Sequence, residues 1–450
     1  MNNNSVDAMG SRPVLPLLLT MSFPPMISML IQSMYNIVDS IFVARLGQDA
    51  LTAVSLAFPM QNLVLAVAVG LGVGVNSYIA KNLGAGEEGE AENTAAHGFL
   101  LTAVHSLAFI LIGLFLTRPF FHIFTKDAEI YRMGVTYASL VVCFSFGSLF
   151  HITIEKIFQS TGNMLIPMLM QALGAVVNII LDPIMIFGLF GFPKMGVAGA
   201  AVATLIGQFT ACGLSVVLFL RYSRVKVRLR GFKVQKETVK NIYSIAVPSS
   251  LMTLLPSLLV GVLNGILAAV SPLGVAVLGI YFKLQTFVYM PSSGLVQGMR
   301  PIVSYNYGAR NRKRLVLTIK MSCLVIGLVM LLGTGIFMGF PEMIMRLFNA
   351  GGEMQTMGVT ALRIISAGFL ISTFGIVFSG TFEALGFGTH SLIISLLRQF
   401  VITIPLAAVL MKVMGIAGVW LAFPIAEAIA AAAAVVLFIH VYKRKLQDMP

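Results

Sequence analysis

The sequence is poor in charge. Only 10% of its 450 residues are Asp, Glu, Lys or Arg, against about a quarter in a soluble globular chain. With 58% hydrophobic residues and a mean hydropathy of +0.92, it has too little polar surface to clothe a core in water. A soluble domain is excluded, and lipid is left as the solvent. Cysteine is scarce too. Cys143, Cys212 and Cys323 all fall in apolar runs, so no disulfide framework or thiolate metal site follows, and they read as small buried apolar residues. The six histidines lack metal-ligand spacing, and no nucleophile–base pair supports an enzyme. Alternating segments of about ten residues, the mark of a membrane β-barrel, are missing. No small-residue cleavage site follows the polar start MNNNSVDAMGSRP, so the first apolar run reads as a retained membrane helix and not as a removed signal peptide.

What is present is apolar length. A spanning helix needs about 20 mainly apolar residues, and blocks of that size lie at roughly 14–44, 51–80, 93–117, 128–153, 164–189, 196–221, 243–270, 274–299, 316–340, 356–381, 389–411 and 415–441. Twelve blocks make an all-α, multi-pass membrane protein. The net charge of +13 does not point to nucleic acid, because the basic residues sit between the blocks, as in loops facing the cytoplasm. Arg221, Arg224, Lys226, Arg228, Arg230, Lys233, Lys236 and Lys240 lie between blocks six and seven. Arg310, Arg312, Lys313 and Arg314 follow block eight, and Lys443, Arg444 and Lys445 end the chain. Both termini are therefore expected on the cytoplasmic side of the inner membrane. The run 221–240 reads as a topology signal and solvated connector, with a lipid-headgroup site as the alternative. Glu87, Glu88, Glu90 and Glu92 read as a solvated loop.

The chain repeats itself. At an offset of 224, Pro24 meets Pro248, Phe58 meets Phe282, and Gln61 meets Gln285. Gly70 and Gly74 meet Gly294 and Gly298, and Asn82, Gly84 and Ala85 meet Asn306, Gly308 and Ala309. After a small deletion, Met195-Gly196 meets Met414-Gly415. Two six-span copies follow: residues 1–224, a basic connector at 225–242, and residues 243–450. Six is even, so both copies enter the membrane the same way, and their pseudo-twofold axis runs along the membrane normal. The glycines of VGLGVGV, residues 69–75, lie inside a block with no preceding strand, so they read as close helix packing and not as a dinucleotide loop.

Against this background the polar residues inside the blocks stand out. VVNIILDPIMIFG, residues 176–188, places Asn178 and Asp182 one turn apart on one helical face. An Asp inside a span costs about 2.5–3.5 kcal/mol on insertion scales. The first block carries a similar stripe of Gln32, Asn36, Asp39 and Ser40. Counted at about 1.5 Å per residue, Asp39, Tyr137, Asp182 and Thr204 all lie about 9–14 Å below the outer boundary. Carboxylate, amide and hydroxyl oxygens suit a hard cation such as Na⁺. The matching residues of the second copy are Leu263, Ala361, Ile402, Leu406 and Phe423, all apolar. Asp39, Asn178, Asp182, Thr204 and Tyr137 are thus expected to form a cation or proton site in the first copy alone. Interhelical hydrogen bonds that only fix packing are the alternative.

The second copy has Arg398 and Glu427 near the middle of adjacent blocks. A mutual ion pair would make each tolerable there, and substrate contact is the other role open to them. Lys283, Gln61, Gln285, Gln32 and Asn36 are further candidates for a substrate cleft. The 26 Met and 32 Phe include enough adaptable side chains to line a pocket for flat, apolar cations.

The sequence resembles the multidrug and toxic compound extrusion (MATE) transporters, in the DinF/MepA-like branch. The resemblance is carried by YNIVDSIFVARLGQDALTAVSLAFPM at 35–60, KNLGAGEEGEAE at 81–92, NIILDPIMIFG at 178–188, KMGVAGAAVAT at 194–204 and MGIAGVWLAF at 414–423. It implies a twelve-helix, two-lobed, V-shaped fold that works as a monomer. It also implies export of amphipathic, often cationic small molecules against an inward flux of Na⁺ or H⁺, with no other cofactor. Coupling would rest on Asp39, Asn178, Asp182, Thr204 and Tyr137. The NorM branch relies partly on acidic residues in spans seven, eight and ten, and this sequence has none well inside those spans. Family resemblance does not fix the cargo. A flippase or an exporter of lipid-linked or polar metabolites is the alternative, and would favour a strongly cationic cleft in both copies. A channel would need a continuous polar path, of which the second copy offers little.

Overall fold

The computed structural model describes residues 3–227, 232–348 and 350–449, and those residues form helices and turns without a strand. In lipid each backbone N–H and C=O must be satisfied within its own segment, and the helix does this for apolar stretches of any sequence. The first copy holds α1 (Asn3–Ser11), α2 (Val14–Ala44), α3 (Gln48–Gly84), α4 (Glu88–Phe115), α5 (Thr117–Phe124), α6 (Ala128–Cys143), α7 (Phe146–Ser160), α8 (Leu165–Phe187) and α9 (Val197–Tyr222). The second holds α10 (Lys236–Ala268), α11 (Pro272–Gly308), α12 (Arg312–Gly339), α13 (Pro341–Leu347), α14 (Gly352–Ser366), α15 (Phe369–Leu385), α16 (Gly388–Leu396), α17 (Thr403–Met414) and α18 (Ile416–Val441). A π-helical turn, Leu397–Val401, joins α16 to α17. The repeat is exact in register where it is strongest: α3 and α11 begin and end 224 positions apart, as do α4 and α12.

Ten helices are long and apolar enough to cross a membrane, and two bent pairs, each counted as one span, bring the number to twelve among the described residues. The bends were not legible in the sequence. They fall between α6 and α7, at 42°, and between α14 and α15, at 49°. Each has a serine whose hydroxyl donates to the backbone of the preceding turn, Ser145 to the Val142 carbonyl at 2.8 Å and Ser366 to the Arg363 carbonyl at 3.3 Å. Such bonds compete with the helical ladder and favour a break.

Packing divides the chain into two compact units. Unit 1 comprises Met1–Ala8 and Ile27–Ser250; unit 2 comprises Met9–Met26 and Leu251–Pro450. The first part of α2 therefore belongs to unit 2, and the first part of α10 to unit 1. The two changeover points, after Met26 and after Ser250, are themselves 224 residues apart. The repeated glycines explain the packing inside each unit. In unit 1 a Cβ on Gly70 would lie 2.5 Å from the Ala246 carbonyl oxygen, and one on Gly74 would lie 2.5 Å from that of Ile242, so α3 touches α10 backbone to backbone. In unit 2 a Cβ on Gly294 would lie 3.0 Å from the Met26 nitrogen, and one on Gly298 would lie 2.8 Å from the Ser22 nitrogen, so α11 touches α2 in the same manner.

Two expectations need correction. Glu88 and Glu90 are not in a loop but in the first turn of α4, with Glu92 just beyond it. Carboxylates there face the positive end of the helix dipole, and Glu88 also pairs with Arg224 at 2.9 Å. The three cysteines are free but half-buried instead of buried. On a helix that spans lipid the outer surface is itself apolar, so a thiol loses little by lying there. In the basic run, Lys236 and Lys240 belong to α10, and Arg228 and Arg230 lie outside the described residues.

Candidate functional site

The site is built on the hairpin of α8 and α9. Helix α8 stops at Gly188, whose φ of 74° is the left-handed conformation that glycine adopts without strain. The chain then turns back, and the Met195 and Gly196 amides donate to the carbonyls of Met185 and Ile186 at 3.1 Å each. Small residues let the two helices close. A Cβ on Gly199 would fall 2.4 Å from the Met185 carbonyl oxygen, and one on Gly207 would fall 2.7 Å from that of Gly174. This closeness brings Thr204 to Asn178. The Asn178 amide donates to Asp182 Oδ1 at 3.2 Å and to Thr204 Oγ1 at 3.4 Å. Pro183, inside α8, has no N–H and so leaves the Ile179 carbonyl without its helical donor beside the same pair.

Asn178 is 3% exposed and Asp182 fully buried. Asp39 approaches from α2; its charge acts on Asp182, and the charges of both aspartates act on the hydroxyls of Tyr35 and Tyr137. Tyr137, on α6 and 2% exposed, accepts a hydrogen bond from Gln61 Nε2 at 3.1 Å. Three buried oxygens in this group have no donor: Asp39 Oδ1, Asn178 Oδ1 and Asp182 Oδ2. Buried acceptors rarely stay unpaired, and two carboxylates without a counter-charge are costly in a low dielectric. The set consists of oxygens only, and no cluster of three or more His, Cys, Asp and Glu occurs among the described residues. Its chemistry therefore suits a proton or a hard cation such as Na⁺, with Asp39, Asn178, Asp182 and Thr204 as the oxygens that would hold it.

Beside the cluster is a cavity of about 670 Å³ within unit 1. Asp39, Asn178, Thr204 and Tyr137 line it, together with the cleft candidates Gln32, Asn36 and Gln61. Asp182 is reached through Asn178 and does not itself line the cavity. Sequence reasoning overlooked Tyr35 and Gln208, which also line it. Each lies one helical turn from a residue that was singled out, Tyr35 before Asp39 and Gln208 after Thr204, so helical spacing alone could have found them. Also overlooked were His151 on the cavity wall and two ion pairs, Lys156–Glu155 at 3.0 Å in unit 1 and Arg300–Glu383 at 2.6 Å in unit 2.

The remaining candidates lie in unit 2 and are not among the residues lining this cavity. Arg398 Nε donates to Glu427 Oε1 at 2.7 Å, and its guanidinium stands 5.4 Å from the centre of the Tyr289 ring. Tyr289 donates to Ser372 Oγ at 3.1 Å and is within hydrogen-bonding reach of Gln285. Lys283 is exposed. Where unit 1 has Asp39, Tyr137 and Thr204, unit 2 has Leu263, Ala361 and Phe423, all buried.

Two repeats of membrane-crossing helices, with a cavity in unit 1 lined by polar as well as apolar side chains, define a multi-pass membrane transporter. The chain belongs to the MatE family, whose model matches it twice, over residues 24–184 and 248–409. A multidrug export protein, MepA, of Staphylococcus aureus is 27% identical over 427 residues, which cover 94% of this chain and 93% of that protein. An FAD transporter of Shewanella oneidensis is 26% identical, covering 92% of each. Among solved structures, a MOP superfamily transporter from Pyrococcus furiosus superposes with a TM-score of 0.90 at 27% identity, covering 99% of this chain and all of that one. A multidrug resistance MATE transporter in an outward-facing conformation gives 0.90 at 28% identity, covering 98% of this chain and 99% of its own.

Proposed function

We propose that the chain is a secondary active exporter of the cytoplasmic membrane. It moves amphipathic, often cationic small molecules outward in exchange for Na⁺ or H⁺. The observation that carries this reading is the group of three donorless oxygens on Asp39, Asn178 and Asp182, which adjoins the cavity of unit 1 and has no polar equivalent in unit 2. The export activity of the Staphylococcus relative, similar over nearly its whole length, supports it. The cavity is complete within one unit, in keeping with a protein that works as a monomer. The Lys and Arg distribution supports cytoplasmic termini.

The mechanism follows from charge. With both carboxylates ionised, the cavity attracts a cationic drug. Uptake of a proton or Na⁺ by the pair, which titrates as a unit, removes that attraction and the mutual repulsion, and allows the helices around Asn178 to repack. Drug and coupling ion then oppose each other, and the opposition is reciprocal, with coupling energies of about 1–3 kcal/mol typical of such systems. The FAD transporter favours a second reading, an anionic metabolite as cargo. The cavity weighs against it: among the described residues lining it there is one carboxylate, Asp39, and no Lys or Arg.

The test is dye uptake into everted membrane vesicles under separately imposed Na⁺ and pH gradients. Ethidium transport accelerated by one of the two gradients supports the reading. Transport indifferent to both gradients, or driven by ATP alone, overturns it.

A further inference from the structure

A second titratable group faces the same cavity at some distance from the aspartates. His151, on α7, is 6% exposed and lines the cavity wall. Its Nδ1 lies 2.8 Å from Ser215 Oγ on α9, and its Nε2 lies 3.4 Å from Gln171 Oε1 on α8. The Ser215 hydroxyl lies 2.6 Å from the Ala211 carbonyl oxygen, which can only accept, so the serine's own proton is committed there. Ser215 must then accept from His151, and Nδ1 carries a proton. Nε2 faces the amide oxygen of Gln171, another acceptor, so the arrangement suits a ring with protons on both nitrogens. If the Gln171 amide turns by half a revolution, its N–H₂ faces Nε2 instead, and the same pocket suits the neutral ring.

The charged side chains nearest to His151 in sequence are Glu155 and Lys156, on its own helix, and they pair with each other at 3.0 Å. Helices α8 and α9 face it with the uncharged Gln171 and Ser215. Helices α3 and α4 meet α7 through Asn76, which donates to the Lys156 carbonyl, and Thr102, which bonds Thr153. Between this group and the aspartates, Gln208 lines the cavity with a buried Oε1 that has no donor. It stands one turn from Thr204 and two turns from Ser215 on α9. Gln171 and Asn178 are two turns apart on α8, about 10 Å. The second copy has Gly375, Ser395 and Ala434 at the positions of His151, Gln171 and Ser215, so the arrangement belongs to unit 1 alone.

We propose that His151 is a second proton-binding site of the unit 1 cavity, set by the orientation of the Gln171 amide. A proton from cavity water adds to Nε2 and is held by the Gln171 oxygen. It returns to water when the amide turns, and the Nδ1–H bond to Ser215 persists throughout. The inference rests on the coupled-export reading only for its role in transport; the binding of the proton is tested without it.

The experiment is nitrogen NMR of the full chain, ¹⁵N-labelled at the histidine rings, in lipid nanodiscs between pH 5 and 8, the range in which an imidazole ordinarily titrates. His151→Gln identifies the ring by the signals it removes, and Ser215→Ala identifies it independently by the signals it shifts. The expected result is a ring that passes from the Nδ1–H neutral form to the doubly protonated form in that range. Gln171→Glu, which offers only acceptors, is expected to move the midpoint up by at least one pH unit. In Asp39→Asn the titration persists, so loss of ion-driven transport in that variant leaves this result standing. A His151 ring that stays in one protonation state throughout, or a midpoint unmoved by Gln171→Glu, overturns the proposal.

Discussion

Asn178 and Asp182, one turn apart on α8, are joined by a 3.2 Å hydrogen bond, and each keeps one buried oxygen without a donor. The amide thus holds the carboxylate in place with its N–H₂ and keeps its own oxygen unpaired beside it.

Removing that amide is therefore expected to weaken cation binding more than removing the neighbouring hydroxyl. A hydrogen bond to a charged group contributes about 1.5–3 kcal/mol, so Asn178→Ala should raise the Na⁺ or H⁺ concentration for half-maximal efflux at least about tenfold. Thr204→Val should raise it about threefold or less, because its contact with Asn178 is longer at 3.4 Å. Efflux measured against coupling-ion concentration distinguishes the two, and equal, small effects would remove Asn178 from the site.

The glycine contacts make a prediction about stability. Gly74→Leu must push α3 away from the Ile242 carbonyl, and Gly298→Leu must push α11 from Ser22. Overpacking typically costs about 1–3 kcal/mol, so both should lower the midpoint of thermal unfolding in detergent, and by similar amounts. Gly213→Ala, where an added Cβ meets nothing within 4 Å, should leave it unchanged. Thermal size-exclusion profiles of the three variants provide the check.

The Arg398–Glu427 pair offers a double-mutant cycle. Its side chains are 20% and 13% exposed, so removing one partner strands a largely buried charge, at a cost of about 3–5 kcal/mol. Arg398→Met and Glu427→Leu should each destabilise the protein strongly, and the double variant should be more stable than either. A double variant as unstable as the sum of the two would show that each residue has other partners that matter more.

Much of the architecture was legible because lipid leaves few alternatives. Apolar blocks longer than a membrane is thick must be helices, and the 224-residue offset between Gly70 and Gly294 already indicated repeated packing. The oxygen cluster was partly legible for the same reason: Asn178 and Asp182 are conspicuous where nearly every neighbour is apolar. Other features depend on partners that a single helix does not reveal. The breaks at Ser145 and Ser366 go with side-chain bonds to the backbone that one buried serine makes and another forgoes. Glu88 and Glu90 look alike in a loop and in a first helical turn until the helix start is known. His151 became notable only when Gln171 and Ser215, from two other helices, were found at its two nitrogens. The changeover of α2 and α10 between units falls inside continuous helices, after Met26 and after Ser250, and depends on the neighbours each part packs against, which a single helix does not show.

The most direct test of the central claim is the gradient dependence of ethidium efflux in vesicles containing Asp39→Asn or Asp182→Asn, compared with the unmodified chain at equal protein content. If the two carboxylates take up the coupling ion together, each variant loses the acceleration by the Na⁺ or pH gradient while still binding ethidium. Full gradient dependence in either variant would contradict the account.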